Sequence, residues 1–525
     1  MTPAKLCLVF HAHLPFVRHP EHDDFLEEDW LFEAITEAYV PLWSRLVRLA
    51  DEGVRYGVTL TISPTLAAML DDVLLRKRLH RYIGRLSRLA ETQAQIHGKS
   101  LQGDTARQAV ARCQDTLRFL ARWKDDLLAP LRHLQSLGCV EIAGCNGTHG
   151  LLPLMSTAAA RRAQIRAGAD AHARNFGRRP RGMWLAECGY DHGIDEQLAE
   201  ADVQFFFVDA AAIERGRPPS PYGLFAPVKT AAGVAAFARD HETGRQVWSS
   251  DQGYPGDPAY REFHRDFGHE AKLEDIAPFL PPDGRRRPMG LKYYRVTGRD
   301  VPLHEKQLYD PAAALARTKV HAADFVMNRQ RQALALAPTM EQPPVITACY
   351  DAELFGHWWH EGPAFIEEVL RLVARTPEIE TATAANVLDE ALTFPQQSLA
   401  PSTWGAESSS KVWLNPETTW VYPELHKAEA RMQTLVRRFG HEDGLMARAL
   451  QQIGRELLLA QSSDWTFLIT LATAPDYGRA RLREHLDAFA RLAYALETNT
   501  LRDGDLIARE KRTPLFPDLD VTAWG

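Results

Sequence analysis

Short apolar runs, each closed by polar residues, punctuate the first two thirds of the chain. Leu6–Phe10 runs into His11-Ala12-His13-Leu14-Pro15, and Val58–Ile62 into Ser63-Pro64-Thr65. Cys139–Ala143 precedes the Gly144–His149 turn, Met183–Ala186 precedes Glu187, and Gln204–Val208 precedes Asp209. Val234–Phe237 stands before Arg239-Asp240, Gly290–Val296 follows, and the run from Ile346 ends at Asp351. Continuous apolar runs of this length mark strands buried on both faces. Strand, polar C-terminal end, then helix is the grammar of a parallel (β/α) barrel, whose site lies at the C-terminal mouth. A doubly wound open sheet shares that grammar, but no glycine-rich phosphate fingerprint follows the first strand.

Three stretches break the rhythm. Between about 66 and 137 apolar residues recur at three and four, as at Leu70, Val73, Leu74, Leu117 and Leu120, which predicts a helical insertion. Residues 238–268 mix Gly, Pro and aromatics, the marks of a long ordered loop at the barrel mouth. A Ser/Pro-rich link near 396–410 leads to stripes such as Leu450, Ile453, Leu457 and Leu458. The expected organisation is a barrel over 1–395 and a C-terminal all-helical domain over 396–525.

With 525 residues the chain exceeds what one hydrophobic core usually supports. Its 45% hydrophobic and 25% charged residues are ordinary for a soluble globular protein. The net charge of −7 is dispersed, without the basic tract of a nucleic-acid or anionic-membrane partner. No apolar stretch reaches the roughly 18 residues of a membrane span, and the N-terminal run is too short for a signal peptide. Six cysteines lack a C-x-x-C pair, and several fall in the apolar runs, which suggests reduced core thiols and a cytoplasmic protein.

The segment Ile346–Pro363, ITACYDAELFGHWWHEGP, crowds acids and indoles at a strand end. Flat Trp faces stack on pyranose rings, and carboxylates move protons. Glu187 occupies the equivalent place on an earlier strand. Two carboxyls on nearby barrel strands suit glycosidic cleavage through an oxocarbenium-like transition state, although acids also cap helices. His11, His13 and His149 could bind zinc, form a polar floor for sugar hydroxyls, or sit satisfied in the core. Trp404 and Trp413 bracket a Ser-rich turn, as glucan platforms or as packing between domains.

Taken together, HAHLP at 11–15, GCNGTHG at 144–150, WLAECGY at 184–190, YDAELFGHWWHEGP at 350–363 and STWG with VWLN within 402–415 resemble glycoside hydrolase family 57, and within it the 1,4-α-glucan branching type. The resemblance implies an incomplete (β/α)7 barrel with helical additions. It implies Glu187 as nucleophile and Asp351 as general acid/base of a retaining transfer from an α-1,4-glucan donor to the 6-hydroxyl of an acceptor glucan. His11, His13 and His149 would line the donor sugar, and Trp404 and Trp413 would be platforms. Trp184, Tyr254, Tyr294, Trp358 and Asp464 complete the expected substrate contacts, with Tyr254 on the mouth loop as the residue favouring transfer over water. No metal or cofactor and a monomeric enzyme are expected. The chain departs from the pattern at Ala210-Ala211-Ala212, where relatives tend to have a histidine. It departs again at Tyr294, where some have Trp, and at Ser408–Ser410, where glycines are frequent.

Overall fold

A computed structural model describes residues 2–249, 252–390 and 392–525. Its strands are β1 (Ala4–Ala12), β2 (Val58–Ile62), β3 (Val140–Cys145), β4 (Gly182–Trp184), β5 (Phe205–Val208), β6 (Val228–Lys229), β7 (Ala235–Ala238), β8 (Val345–Asp351) and β9 (Ile379–Thr381). They lie in the order β6-β7-β5-β4-β3-β2-β1-β8, with β9 also pairing with β1. Every ladder is parallel except the edge pair β6–β7. The path from β7 to β8 is therefore an incomplete seven-stranded parallel barrel, as expected. No ladder joins β7 to β8 among the described residues, but the Asp240 N–H donates to the Thr347 carbonyl at 2.8 Å across that seam.

Alternation along the strands sorts the core into layers. Cys7, Val9, Cys145, Trp184, Phe205, Phe207, Phe237 and Cys349 pack together inside the barrel. Their neighbours Leu6, Leu8, Phe10, Ile346 and Ala348 face outward, into one cluster with helices of the insertion and of the C-terminal part. Met183, Phe206 and Val208 build a second outer cluster. Continuing the inward parity past the last apolar residue arrives at His11, Asp209, Arg239 and Asp351. The β1–β8 register sets His11 directly beside Asp351.

Four helices, Pro64–Asp71, Val73–His97, Leu101–Arg122 and Ala129–Ser136, occupy the predicted insertion between β2 and β3. Helix Ala158–Phe176 lies so close to β3 that a Cβ at Gly168 would stand 2.1 Å from the Cys145 carbonyl oxygen; glycine is what permits the approach. Beyond the link, helices Val421–Phe439, Gly444–Ala460, Ser463–Thr470, Pro475–Glu497 and Asp503–Arg512 form the C-terminal part. No helix among the described residues is long and apolar enough to cross a membrane. All six cysteines are free.

Two expectations are corrected here. Gly290–Val296 is not a strand: it carries only isolated bridges, Arg261 to Arg295 and Tyr294 to Leu308. Its apolar residues pack on the insertion helices, where Met289, Leu291 and Tyr293 meet Leu89 and Ala106. The mouth segment 238–268 is not purely loop, because Asp240 caps a helix over His241–Trp248. Its Ser250 and Asp251 lie outside the described residues.

Candidate active site

Glu187 follows β4 in a tight turn. It has φ 61° and ψ 23°, and Cys188 follows at φ 50°, so two consecutive non-glycine residues are left-handed. Such backbone costs roughly 1–2 kcal/mol per residue and persists where surrounding contacts over-determine it. Here the Asn146 side chain accepts from the Ala186 N–H at 3.0 Å, and the Trp404 N–H donates to the Glu187 carbonyl at 2.9 Å. The Glu187 carboxylate is buried. Its Oε2 accepts from the Trp404 indole at 2.7 Å and its Oε1 from the Ser463 hydroxyl at 2.8 Å. Burial pushes this carboxyl up to about 6 despite those two hydrogen bonds.

Behind Ser463 runs a hydrogen-bond relay. His149 Nδ1 lies 2.9 Å from Ser463 Oγ, His149 Nε2 3.0 Å from His11 Nε2, and His11 Nδ1 2.6 Å from Thr61 Oγ1. Burial and the neighbouring histidines hold His11 and His149 well below the usual imidazole range, so both are neutral. Ser463 spends its proton on Glu187 and must accept from His149 Nδ1–H. His149 Nε2 then accepts from His11 Nε2–H, and His11 Nδ1 accepts from Thr61, which fixes both tautomers. His13 differs. Burial lowers its basicity, but the Asp464 carboxylate, with both oxygens 3.0 Å from Nε2, raises it overall. Its Nδ1 meets Ser63 Oγ at 2.8 Å.

Asp351 ends β8 with no donor to its carboxylate among the described residues. Loss of water, then Glu353 and Glu187 nearby, raise it well above the carboxylate range, with Arg239 opposing. Glu353 is better supported. Its Oε1 accepts from the Tyr39 hydroxyl and from the His13 N–H at 3.0 Å, yet burial still pushes it up to about 7. Tyr39 comes from a π-turn, Ile35–Tyr39, seated against the β8 connection: a Cβ at Gly356, whose φ is 120°, would stand 1.9 Å from the Glu37 carbonyl oxygen. Two strand-end carboxyls thus sit in contrasting surroundings, one hydrogen-bonded by neutral donors and one crowded by acids.

The other expected residues divide. His13, Asp464 and Trp404 join the pair. His11 and His149 are 1% and 2% exposed, with every ring nitrogen engaged in the relay. Trp184 is fully buried, stacked on His11 at 4.6 Å as flooring. Trp413, 1% exposed, packs beneath Gly405 instead of offering a face. Tyr254 is drawn into packing: its hydroxyl donates to Asp324 at 2.7 Å and its ring stacks on His321. Tyr294 lies under the Arg265 guanidinium, 3.3 Å from its ring centroid. Trp358 is exposed and stacks on Trp248 at 5.6 Å. These residues share an aromatic character that cores and sugar sites both use, which is why composition could not sort them.

His13, His149 and Asp464 each bring a ligand-type atom within 4.8 Å of the others, as do His11, Cys145 and His149. In both sets the histidine nitrogens already serve the hydrogen bonds above. The sequence does not single out Ser463 or Tyr39, and Glu353, Asp209 and Arg239 stand there only as polar residues at strand ends, without a site role. Inward parity would have found Asp209 and Arg239; nothing local marks Ser463 or Tyr39.

The chain matches the description "Glycosyl hydrolase family 57" over residues 7–400 and "1,4-alpha-glucan branching enzyme, C-terminal" over 424–524. It is 36% identical over 522 residues to a 1,4-alpha-glucan branching enzyme of Thermococcus kodakarensis, covering 94% of this chain and 73% of that one. It is 33% identical over 528 residues to a probable 1,4-alpha-glucan branching enzyme of Mycobacterium tuberculosis, covering 94% and 93%. Among solved structures, the alpha-amylase AmyC from Thermotoga maritima superimposes with a TM-score of 0.93 at 36% identity, over 100% of this chain and 99% of that one. The branching enzyme of Thermococcus kodakaraensis, crystallised with glucose, gives 0.90 at 33% identity, over 99% and 96%. With the family match spanning most of the barrel and these relatives spanning nearly the whole chain, the protein belongs to glycosyl hydrolase family 57.

Proposed function

We propose that this chain is a 1,4-α-glucan branching enzyme, cleaving an α-1,4-glucan and transferring the cut segment to a 6-hydroxyl as an α-1,6 branch. The observation that carries this reading is the origin of Ser463 and Asp464. Both come from the segment matching the branching-enzyme C-terminal description, and both bear on Glu187, Ser463 by a hydrogen bond and Asp464 by its charge and its pairing with His13.

Glu187, ionised with help from Trp404 and Ser463, attacks the anomeric carbon. Asp351, protonated in the free enzyme, gives its proton to the departing glycosidic oxygen. A covalent glycosyl-enzyme results and the shortened chain leaves. Asp351, now ionised, takes the proton of an acceptor 6-hydroxyl as that oxygen attacks the same carbon, and Glu187 is released. Configuration is retained through the two displacements. His13, made more basic by Asp464, holds the Glu353 carboxylate through its backbone N–H and favours the ionised form of Glu187.

Hydrolysis is the second reading, and the 0.93 superposition on a structure titled alpha-amylase favours it. Both readings use the same first displacement and part only at the acceptor. Incubation with amylose, enzymatic debranching and sizing of the released chains separates them. New side chains with little new reducing sugar mean branching; reducing ends without side chains mean amylase and overturn the proposal.

A further inference from the structure

Arg239, Asp209 and Ser408 take no part in the two displacements, yet they connect to the nucleophile. Ser408 has φ 57° and follows Glu407 at φ 58°, a second pair of consecutive left-handed non-glycine residues. Its hydroxyl donates to Asp209 Oδ1 at 2.8 Å. Asp209 Oδ2 faces Arg239 Nη1 at 3.5 Å, and the Arg239 guanidinium lies 5.1 Å from the centre of the Trp404 ring. The turn is knitted internally, since the Thr403 N–H donates to the Ser408 carbonyl at 3.2 Å and the Ser408 N–H to Gly405 at 3.0 Å. One end of this turn, Trp404, is on Glu187; the other, Ser408, is on Asp209.

We infer that Asp209, Arg239 and Ser408 form a brace that holds the Trp404 indole on the Glu187 carboxylate, which makes Ser408 a positioning residue for the nucleophile. The inference rests on Glu187 being that nucleophile. Two adjacent strand ends, β5 through Asp209 and β7 through Arg239, present an anion and a cation to a turn that is also held at Glu187 by Trp404 and from beneath by Trp413 at Gly405. Among the described residues, the Ser408 hydroxyl is the side-chain hydrogen bond that ties the far end of the turn to this ion pair. Without it the indole N–H wanders from Oε2, and Glu187 is less ionised and less well aimed. The other groups facing Glu187 are Ser463, Asp464, His13, His149, Asp351 and the neutral thiols of Cys145 and Cys188, none of them on this turn.

Ser408→Gly isolates the tie, because glycine accepts φ 57° more readily than serine and loses only the hydroxymethyl group. We expect an unchanged or higher melting temperature, with kcat on amylose lower by about 2- to 10-fold, the equivalent of one neutral hydrogen bond. KM should change less than kcat, and the acidic limb of the kcat–pH profile should move upward. Asp209→Asn should move kcat and the limb in the same direction. A Ser408→Gly enzyme with the parent's kcat and acidic limb overturns the brace, as does a fall in kcat that merely follows a fall in melting temperature with the limb unmoved. Glu187→Ala is assayed alongside. If it stays active, the nucleophile assignment fails; if it is dead while Ser408→Gly matches the parent, only the brace fails.

Discussion

Glu187 in the barrel and Glu456 in the C-terminal helices are both buried carboxyls, and their surroundings send them opposite ways. Burial alone would raise either. Glu456 instead is pulled down to about 2 by His485 at 2.8 Å and by Arg509, whose Nε lies 2.6 Å away. Glu187 receives an indole N–H and a hydroxyl, with His149 held neutral and 3.6 Å away, and remains at about 6. A cation in contact locks a carboxylate permanently and makes it a structural strut. Neutral donors leave it ionisable and available to bond with carbon. The difference between a strut and a carboxyl fit for the proposed nucleophile role lies in the donors, not in depth.

The largest expected effect separates the two directly. Glu187→Ala should lower turnover by about 10³-fold or more, with azide restoring cleavage as a β-configured glycosyl azide. Comparable activity in the folded variant, measured by product sizing, removes Glu187 from the mechanism. Asp351→Ala should cost about 10²–10⁴-fold on glucans but much less on substrates whose leaving group departs without a proton. An equal loss on both kinds of substrate argues against an acid role.

Glu456→Gln should show the reverse profile. It removes the charge that pairs with Arg509 and His485, leaving Arg509 its second partner Glu484 at 2.7 Å, and should cost about 1–3 kcal/mol of stability in denaturant titrations. Turnover per folded molecule should stay unchanged. A marked loss of turnover without unfolding would join that network to the chemistry.

Acid titration offers a finer contrast. Glu456 has a depressed carboxyl, so its contribution is full above the ordinary carboxylate range near 4.3 and is lost as pH falls toward about 2. Glu187 has a raised carboxyl, so the fold favours its acid form and loses that contribution as pH rises from about 4.3 to about 6. Turnover should fall as pH drops through about 6, well before unfolding begins; coincident losses of activity and structure contradict this. Smallest of all, exhaustive chelation should leave turnover unchanged, because His13 Nε2 is already bonded to Asp464 and the two His149 nitrogens to Ser463 and His11. A stoichiometric metal whose removal abolishes activity would reverse that expectation.

Much of this was legible in the chain. The apolar runs at Leu6, Val58 and Ile346 declared their strands because burial on both faces leaves no polar alternative, and the strand ends then delivered Glu187 and Asp351. Gly290–Val296 misled because an apolar run packed across helices looks like one paired in a sheet; only the partner distinguishes them. Trp184, Trp413 and Tyr254 could not be told from core aromatics in the sequence for want of the same information, and in the fold all three are buried. Ser463 was invisible for a different reason. A serine at the start of a helix is ordinary in sequence, and its meaning arises only from a carboxylate hundreds of residues upstream.

That last contact has a consequence in time. Ser463 is 276 positions after Glu187, a delay of roughly 15–55 s at ribosomal rates of about 5–20 residues per second. The barrel emerges with both of its acids while the hydroxyl that Glu187 leans on, and the carboxylate that charges His13, do not yet exist. A partly synthesised chain therefore lacks two of the groups that surround Glu187 and His13, and the proposed mechanism requires the final quarter to have folded down.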